Sequence, residues 1–464
     1  MARHLWTSGV ILMALAGMGA AQDGAVQSTQ YDDGSVYEGT FRGGVQHGQG
    51  IYRMPSGYEY SGAWVDGRIE GEGTARYPNG SIYAGPFQNG RPEGQGKITF
   101  ADGSTYEGDW VAGQRTGQGV AVYADGTRYS GGFRDGQPQG QGRIEAADGY
   151  VYEGEWDAGQ KVGAGTITYA NGAVYEGALE GGVPSGTGTL TTPQGTVYTG
   201  DWTEGRIEGQ GRLEQGGDTY EGGFAGGQRQ GQGRATYASG EVYEGGFVAD
   251  QREGQGTLTR PDGYRYEGEW RAGQMAGDGT ATYADGSVFT GTFTEGRPDG
   301  QGTLTYADGS TYQGAWAAGA ITGEGRAVQA DGSTYEGGFQ DGRHHGTGTL
   351  IRPDGYRYEG EWDEGERAGT GTATYADGTT YTGGFRAGQR DGTGELVRPD
   401  GYRYAGEWAG GAFDGEGTLT YASGDVYEGT FRANAPDGTG TMTYANGQVV
   451  TGTWADGQLV ERAD

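Results

Sequence analysis

The 464-residue sequence contains no cysteine. That removes disulfides, thiolate metal sites and thiol nucleophiles together. Lysine is almost missing, with only Lys97 and Lys161, and acidic residues outnumber Lys plus Arg by 62 to 32. A formal charge of −30 denies the chain the basic face that nucleic acid and anionic lipid surfaces require. Hydrophobic residues make up only 33%, and 105 positions are glycine, so a conventional layered core cannot be filled. Such a composition leans towards disorder. The 33 tyrosines and 12% aromatic content argue for folded structure instead.

Only one long apolar run exists, and it is at the start. Arg3 and His4 precede Leu5 to Ala16, and Gly19 with Ala21 form a small-x-small cleavage site before Gln22. Residues 1–21 read as a secretory signal peptide, because the run is shorter than the ~20 residues a span needs. Its removal takes away Arg3 and no acid, leaving −31. The expectation is an exported chain, periplasmic or extracellular, with residues 22–36 as a lead-in to the body.

The body, residues 37–464, is a repeat. Tyr37, Tyr60, Tyr83, Tyr106, Tyr129, Tyr152, Tyr175 and Tyr198 stand 23 residues apart. After one 22-residue step the series resumes at Tyr220 and runs to Tyr427 and Val450, giving 19 copies, the last truncated. Looking for such periods first decides the fold. Counting each tyrosine as position one, the Tyr106 copy reads Tyr106-Glu107-Gly108-Asp109-Trp110, then Gly113, Gly117, Gly119, Tyr123, Asp125 and Gly126.

Alternation across Tyr106, Gly108 and Trp110 predicts a strand, and Gly117 to Tyr123 predicts the next. Asp-Gly, Asn-Gly and Ser-Gly between such runs are hairpin signals. A three-residue turn opposes Tyr123 to Thr127 and puts Ala121, Tyr123 and Tyr129 on one face. Two patterns favour it. Proline precedes the turn polar residue at Pro78, Pro193, Pro261, Pro353 and Pro399, which suits a type I turn. Where Met54, Ala146, Arg260, Arg352 or Arg398 replaces the ring before the turn, Tyr58, Tyr150, Tyr264, Tyr356 or Tyr402 supplies one after it. Only residues opposed on one face can trade a ring in this way.

The fifth position alternates between Phe and Trp, with Leu179 in a Phe slot and one slip beside the 22-residue step, so the true unit is a pair of hairpins of about 46 residues. Glycine in strands costs roughly 0.5–1 kcal/mol. Gly108, Gly117 and Gly119 are therefore expected to form a flat floor for a ring from a neighbouring copy. Gly113 and Gly126 are expected in turns with φ > 0, a reading supported by Asp250 and Asn434 at the first of these positions. An isolated hairpin is marginal in water. Stacked hairpins would add about 9.6 Å per copy at ~4.8 Å per strand, making a rod on the order of 180 Å. Its weak point is expected at Gln215-Gly216-Gly217, where a turn residue is lost.

The Tyr-Glu-Gly-x-Trp/Phe-x-x-Gly-x-x-x-Gly-x-Gly column set at this spacing resembles the MORN repeat. The resemblance implies an all-β fold: an elongated single-layer antiparallel sheet of stacked β-hairpins, a solenoid-like rod. It also implies a role in protein or lipid binding, scaffolding or self-association. Eukaryotic members often add a kinase or methyltransferase domain, but no stretch outside these repeats is long enough to fold alone. Phosphoinositide binding proposed for the family relies on basic surfaces, which −31 opposes.

Repetition dilutes every catalytic candidate, so no enzyme, cofactor or metal site is expected. His344 and His345 sit between strands, where a solvated turn is the ordinary reading and a metal pair the sharper one. The second-position glutamates, such as Glu107, Glu153 and Glu267, follow the tyrosines onto the opposite face. Within one column they are too widely spaced for a glycosidase pair; they read as a solvating face, with weak Ca²⁺ binding as the alternative. No glycine run carries the Gly-Lys-Ser/Thr of a phosphate loop.

The candidate binding ladder comprises Tyr106, Trp110, Tyr152, Trp156, Tyr266, Trp270, Tyr312, Trp316, Tyr358, Trp362, Tyr404 and Trp408. Such rings either form the rod's only hydrophobic layer or lie open to stack on a sugar or peptide. The expectation is a non-enzymatic envelope scaffold for a protein partner or self-association. The alternative is a glycan- or peptidoglycan-binding rod that uses the ladder.

Overall fold

A computed structural model describes residues 24–463. The signal-like segment 1–21 lies outside the described residues. Among them the secondary structure is entirely strand and turn. The residues divide into two units, one of residues 24–216 with 224–227 and the other of 217–223 with 228 onwards. The division falls at Gly216/Gly217, inside the shortened copy.

Each unit is an open antiparallel sheet in which strands follow chain order. In the first unit, Val26–Gln30 pairs with Val36–Arg42, which pairs with Val45–Arg53, and so on. The lead-in thus caps the first repeat with a strand. In the second unit the series ends at Val449–Ala455 paired with Gln458–Arg462. A copy contributes one tyrosine strand, such as Thr105–Val111, and one glycine strand, such as Gln114–Val122.

Two turn types alternate. At one edge Tyr123 N donates to Thr127 O (2.8 Å) and Gly126 N to Tyr123 O (2.9 Å), with Gly126 at φ +86°. This is the expected three-residue turn, and Asp125 Oδ1 tightens it by accepting from Thr127 N (2.9 Å). At the other edge Ala112 (φ +51°) and Gly113 (φ +85°) form a two-residue turn with both central residues left-handed, the type I′ form that matches strand twist. Asp250 and Asn434 take the second of these positions at φ +68° and +72°, as expected.

The glycine strand is not regular. Arg115 pairs with Trp110 and Gly119 with Gly108, so Thr116, Gly117 and Gln118 face Asp109 alone. Gly117 sits in this bulge at φ +60°. Its column is therefore glycine for backbone reasons, which corrects the expectation that it forms part of the ring floor.

Side chains then sort by parity. In Thr105–Val111, Tyr106, Gly108 and Trp110 are buried while Glu107 points out. The glutamate face carries exposed pairs, such as Lys97–Glu107 (3.2 Å) and Arg143–Glu153 (3.1 Å), and threonine pairs such as Thr280–Thr290 (3.2 Å). Exposed ion pairs of this kind contribute little stability.

Candidate functional site

The aromatic face is built from the tyrosine upward. The Tyr106 ring lies over Gly108 and Gly119 of its own copy. A Cβ on Gly119 would stand 2.5 Å from Tyr106 Cε2, and one on Gly108 would stand 2.8 Å from the hydroxyl oxygen. The bare floor thus belongs to the same copy as the ring, which corrects the expected loan from a neighbour. The hydroxyl donates to Asp109 O (3.0 Å), a carbonyl in the tyrosine strand opposite the bulge. All seventeen tyrosines of this column repeat that bond to the carbonyl three residues on, at 2.7–3.3 Å. Burial pushes the Tyr106 phenol up to about 12, with Asp109 adding to the rise and Arg115 opposing it.

Neighbouring copies meet ring to ring. Tyr106 meets Trp110 edge-on at 5.4 Å and Phe133 of the next copy at 4.9 Å; Tyr129 then meets Phe133 at 5.0 Å and Trp156 at 5.1 Å. Such T-shaped pairs are each worth about 0.5–1.5 kcal/mol beyond their buried area. The Trp copies gain one further bond between copies. Trp110 Nε1 donates to Gly96 O of the preceding copy (3.0 Å), and Trp156, Trp202, Trp270, Trp362, Trp408 and Trp454 do likewise at 3.1–3.2 Å. Among the described residues, Nε1 of Trp64 and of Trp316 is buried without a partner.

In several copies the tenth position closes the upper side of the tyrosine ring, and sequence reasoning missed it. His344 stacks on Tyr335 at 3.6 Å with 10° between the planes, and Phe413 on Tyr404 at 3.7 Å and 11°. Arg115, Arg252 and Arg390 place guanidinium groups 5.5, 4.9 and 5.5 Å from the rings of Tyr106, Tyr243 and Tyr381. His344 lies within the strand Arg343–Ile351 rather than in a solvated turn, and burial depresses its pKa to about 4. His345 turns away to Asp363 (3.4 Å), so the two imidazoles diverge. The signal available in the sequence was a column of ring-covering residues (Ile69, Pro92, Arg115, Met275, His344, Phe413) at a site where exposed residues would be small or polar.

The twelve ladder residues are consequently 0–9% exposed. Within a copy each Tyr and Trp meet edge-on at 5.1–5.7 Å. Successive Trp copies are separated by at least one Phe or Leu copy. These rings form the hydrophobic layer, with glycine below and the tenth residue above, and their faces are not open for stacking.

What the face does offer is the outer row flanking the three-residue turns. Tyr123 and Tyr306 are 41% and 39% exposed, and Tyr77, Tyr169, Tyr283 and Tyr375 are half-buried. Where the ring has swapped across the turn, it meets the outer ring of the next copy: Tyr58–Tyr77 at 5.8 Å, Tyr264–Tyr283 at 5.9 Å, Tyr356–Tyr375 at 5.4 Å. In the first unit this row and the far turns border a shallow groove of about 460 Å³, with Trp110 and Arg115 in its lining beside Tyr77, Phe100 and Asp135. Among the described residues no three His, Asp or Glu side chains converge as a metal site.

The MORN repeat family matches eighteen consecutive segments between residues 37 and 449, including 106–128, 266–288 and 404–426. The chain belongs to the MORN-repeat family. This MORN array is a repeat scaffold with regularly spaced aromatic residues. No curated protein matches it. Among solved structures it is similar to the TCP domain of SAS-4 from Drosophila melanogaster, solved with a proline-rich motif of Ana2. The identity is 12%, covering 44% of this chain and 93% of that one, with a TM-score of 0.22. The TCP10 domain of CPAP from Danio rerio is similar at 15% identity, covering 61% and 95%, with a TM-score of 0.12. Virginiamycin B lyase from Staphylococcus aureus is similar at 10% identity, covering 71% and 92%, with a TM-score of 0.11. At such scores these likenesses bear on no functional argument.

Proposed function

We propose that this MORN array is an exported binding scaffold that holds an extended glycan of the cell envelope along its outer tyrosine row. The observation that carries the reading is the contrast between the two rows: the inner rings are closed on both faces, whereas Tyr123 and Tyr306 in the outer row keep 41% and 39% of their surface open. Tyrosine presents a flat apolar face with a polar tip at low entropic cost, which suits sugar rings. One copy adds about 9.6 Å at ~4.8 Å per strand, a step comparable with a disaccharide in an extended chain. The signal-like residues 1–21 support the location. The glycan reading thus moves from the inner ladder to the outer row.

Affinity electrophoresis of the mature chain in gels containing envelope or plant glycans tests it, with tyrosine and tryptophan fluorescence as a second readout. Retention that weakens in Tyr123→Ala and Tyr306→Ala is the expected result. Unretarded migration in every glycan, together with capture of a protein partner by the same face, would turn the reading into that of a protein scaffold.

A further inference from the structure

The aromatic face differs between the two units in charge. In the columns that line it, the first unit has Arg115 and Lys161, whereas the second has Arg229, Arg252, Arg260, Arg352, Arg367, Arg390 and Arg398. Three of the latter are already engaged, Arg229 by Asp250 (3.0 Å) and Arg252 and Arg260 by Glu241 (2.7 and 3.3 Å). Among the described residues Arg352, Arg367, Arg390 and Arg398 make no ion pair within 4 Å. The turn aspartates Asp331 and Asp377 are held below the usual carboxylate range first by hydrogen bonds from Ser333 and Thr379, with the charges of Arg352 and Arg398 adding to the fall.

The second unit also repeats one short module three times: Arg260-Pro-Asp-Gly-Tyr264, Arg352-Pro-Asp-Gly-Tyr356 and Arg398-Pro-Asp-Gly-Tyr402. In each, the turn folds the guanidinium over the tyrosine ring, at 4.8, 5.2 and 4.5 Å from its centre. At Tyr356 a second guanidinium joins: Arg367 lies 6.0 Å from the ring and donates from Nη1 to the tyrosine hydroxyl (2.6 Å). Two like charges share one ring there, while Arg352 and Arg398 stay exposed. Tyr375 and Tyr421, half-buried, stand edge-on beside Tyr356 and Tyr402 at 5.4 and 6.4 Å.

We infer that this stretch of the second unit, from Arg352 to Tyr421, is an anion-reading subsite, and that the glycan it takes bears carboxylates, as a uronate chain does. The inference rests on the glycan reading above and deepens it. A planar guanidinium matches a carboxylate edge through two parallel hydrogen bonds. Tyr356 is itself buried, so the half-buried Tyr375, Tyr402 and Tyr421 supply the flat faces for the sugar ring that carries the carboxylate. The chain as a whole repels anions, so guanidiniums gathered on one face of an otherwise acidic stretch supply the local attraction. A neutral glycan would gain nothing from four guanidiniums that lack a carboxylate partner. An acidic peptide would use the charges but not the regular row of rings.

The test is binding of the full mature chain to polygalacturonate, to neutral pullulan and to poly-glutamate, by calorimetry at low and at about 0.5 M salt. The expected result is binding to polygalacturonate alone, weakened at least about tenfold by the double variant Arg352→Gln, Arg398→Gln and by high salt. Arg352→Lys, Arg398→Lys keeps the charge but loses the paired geometry, and is expected to fall between; it also guards against a folding defect in the glutamine pair. Equal, salt-insensitive binding of pullulan would overturn the inference and leave the glycan reading standing. Tighter binding of poly-glutamate would overturn it in favour of an acidic peptide. Failure to bind either polysaccharide would sink both.

Discussion

Gly119→Ala is the sharpest test of how a copy holds together. The added Cβ would stand 2.5 Å from Tyr106 Cε2, 2.6 Å from the hydroxyl oxygen and 2.7 Å from Cζ. Carbon pairs rest at about 3.5–4.0 Å, so the ring must lift by roughly 1 Å. Its edges and its hydroxyl resist that lift. Arg115 lies above it, Trp110 and Phe133 press on its edges, and its hydroxyl is tied to Asp109 O. Overpacking typically costs about 1–3 kcal/mol, and loss of the hydroxyl bond adds about 1 kcal/mol. Against this, alanine recovers roughly 0.5–1 kcal/mol of chain entropy. The expected net loss is about 2–3 kcal/mol, confined to the Tyr106 copy and its neighbours because a repeat array opens piecewise.

Amide hydrogen exchange across residues 105–134 reads this directly, since about 1.4 kcal/mol is tenfold in the opening constant. Protection there should fall by roughly thirty- to a hundredfold, with distant copies unchanged. The decisive step is the double variant. With Tyr106→Ala already present, Gly119→Ala should cost nothing, a coupling of about 2–3 kcal/mol. Gly126→Ala is the control: among the described residues nothing lies within 4 Å of its Cβ, and its φ of +86° alone should cost about 1 kcal/mol. If Gly119→Ala costs the same with and without the Tyr106 ring, the ring does not rest on that glycine and the account of the repeat falls.

Other perturbations isolate single parts. Tyr106→Phe should lose about 0.5–1.5 kcal/mol by stranding Asp109 O, and Phe289→Tyr should gain a similar amount, both read by local exchange. His344, held at about 4 by burial against an ordinary 6.5, contributes stability that is complete above pH 6.5 and is lost as pH falls towards 4. The whole shift corresponds to a loss on the order of 3 kcal/mol, and solvent reaching the half-buried ring brings it nearer to about 2 kcal/mol. His344→Phe, which copies the lid that Phe413 provides, should flatten the difference in exchange between pH 7 and about 4.5 around residues 334–362. Burial also raises the inner phenols, Tyr106, Tyr129, Tyr152 and Tyr243 to about 12. Their stabilising contribution is therefore intact below pH 10 and lost as pH rises through 12, so tyrosinate absorbance should grow together with loss of β circular dichroism. A tyrosine titration centred at pH 10 in the folded array would contradict the buried ladder.

The period, the three-residue turn and the two faces were legible because the copies act as replicate experiments on one another. The ring that moves from the position before the turn to the one after it, as between Tyr123 and Tyr150, fixed parity without any coordinates, and the structure has Tyr123 N bonded to Thr127 O. The glycines were only half legible. Gly119 and Gly117 look alike in sequence, yet one is glycine because a ring lies on it and the other because the bulge needs φ +60°. The bulge itself was invisible, since an extra pair of residues in one strand leaves no mark on a 23-residue period. The ladder was found but its accessibility was not. Accessibility depends on the tenth column, whose residues share no chemical class. His344 illustrates the difficulty: it reads as polar and solvated, but what it does is lie flat on Tyr335.

That chemical variety at the tenth position explains how a monotonous scaffold can acquire a specific surface. Lys161, His344, Arg390 and Phe413 all lie over a tyrosine ring, and Ile69, Pro92 and Met275 hold the same column in copies whose tyrosine is fully buried. Stability is supplied by columns that hardly vary: the tyrosine, the paired glycines and the Phe/Trp ring. The lid and the residues around the three-residue turn are left to vary, and those are the side chains at the surface of the face. A substitution such as Pro138→Arg should therefore be nearly neutral for folding while adding a cation to the first unit's aromatic face. Under the anionic-glycan inference, two or three such changes, at Pro92, Pro138 and Pro184, would transfer polygalacturonate binding to the first unit without altering its ladder. If such variants stay folded by local exchange and polygalacturonate does not protect the first unit, cations on this face are lids and nothing more.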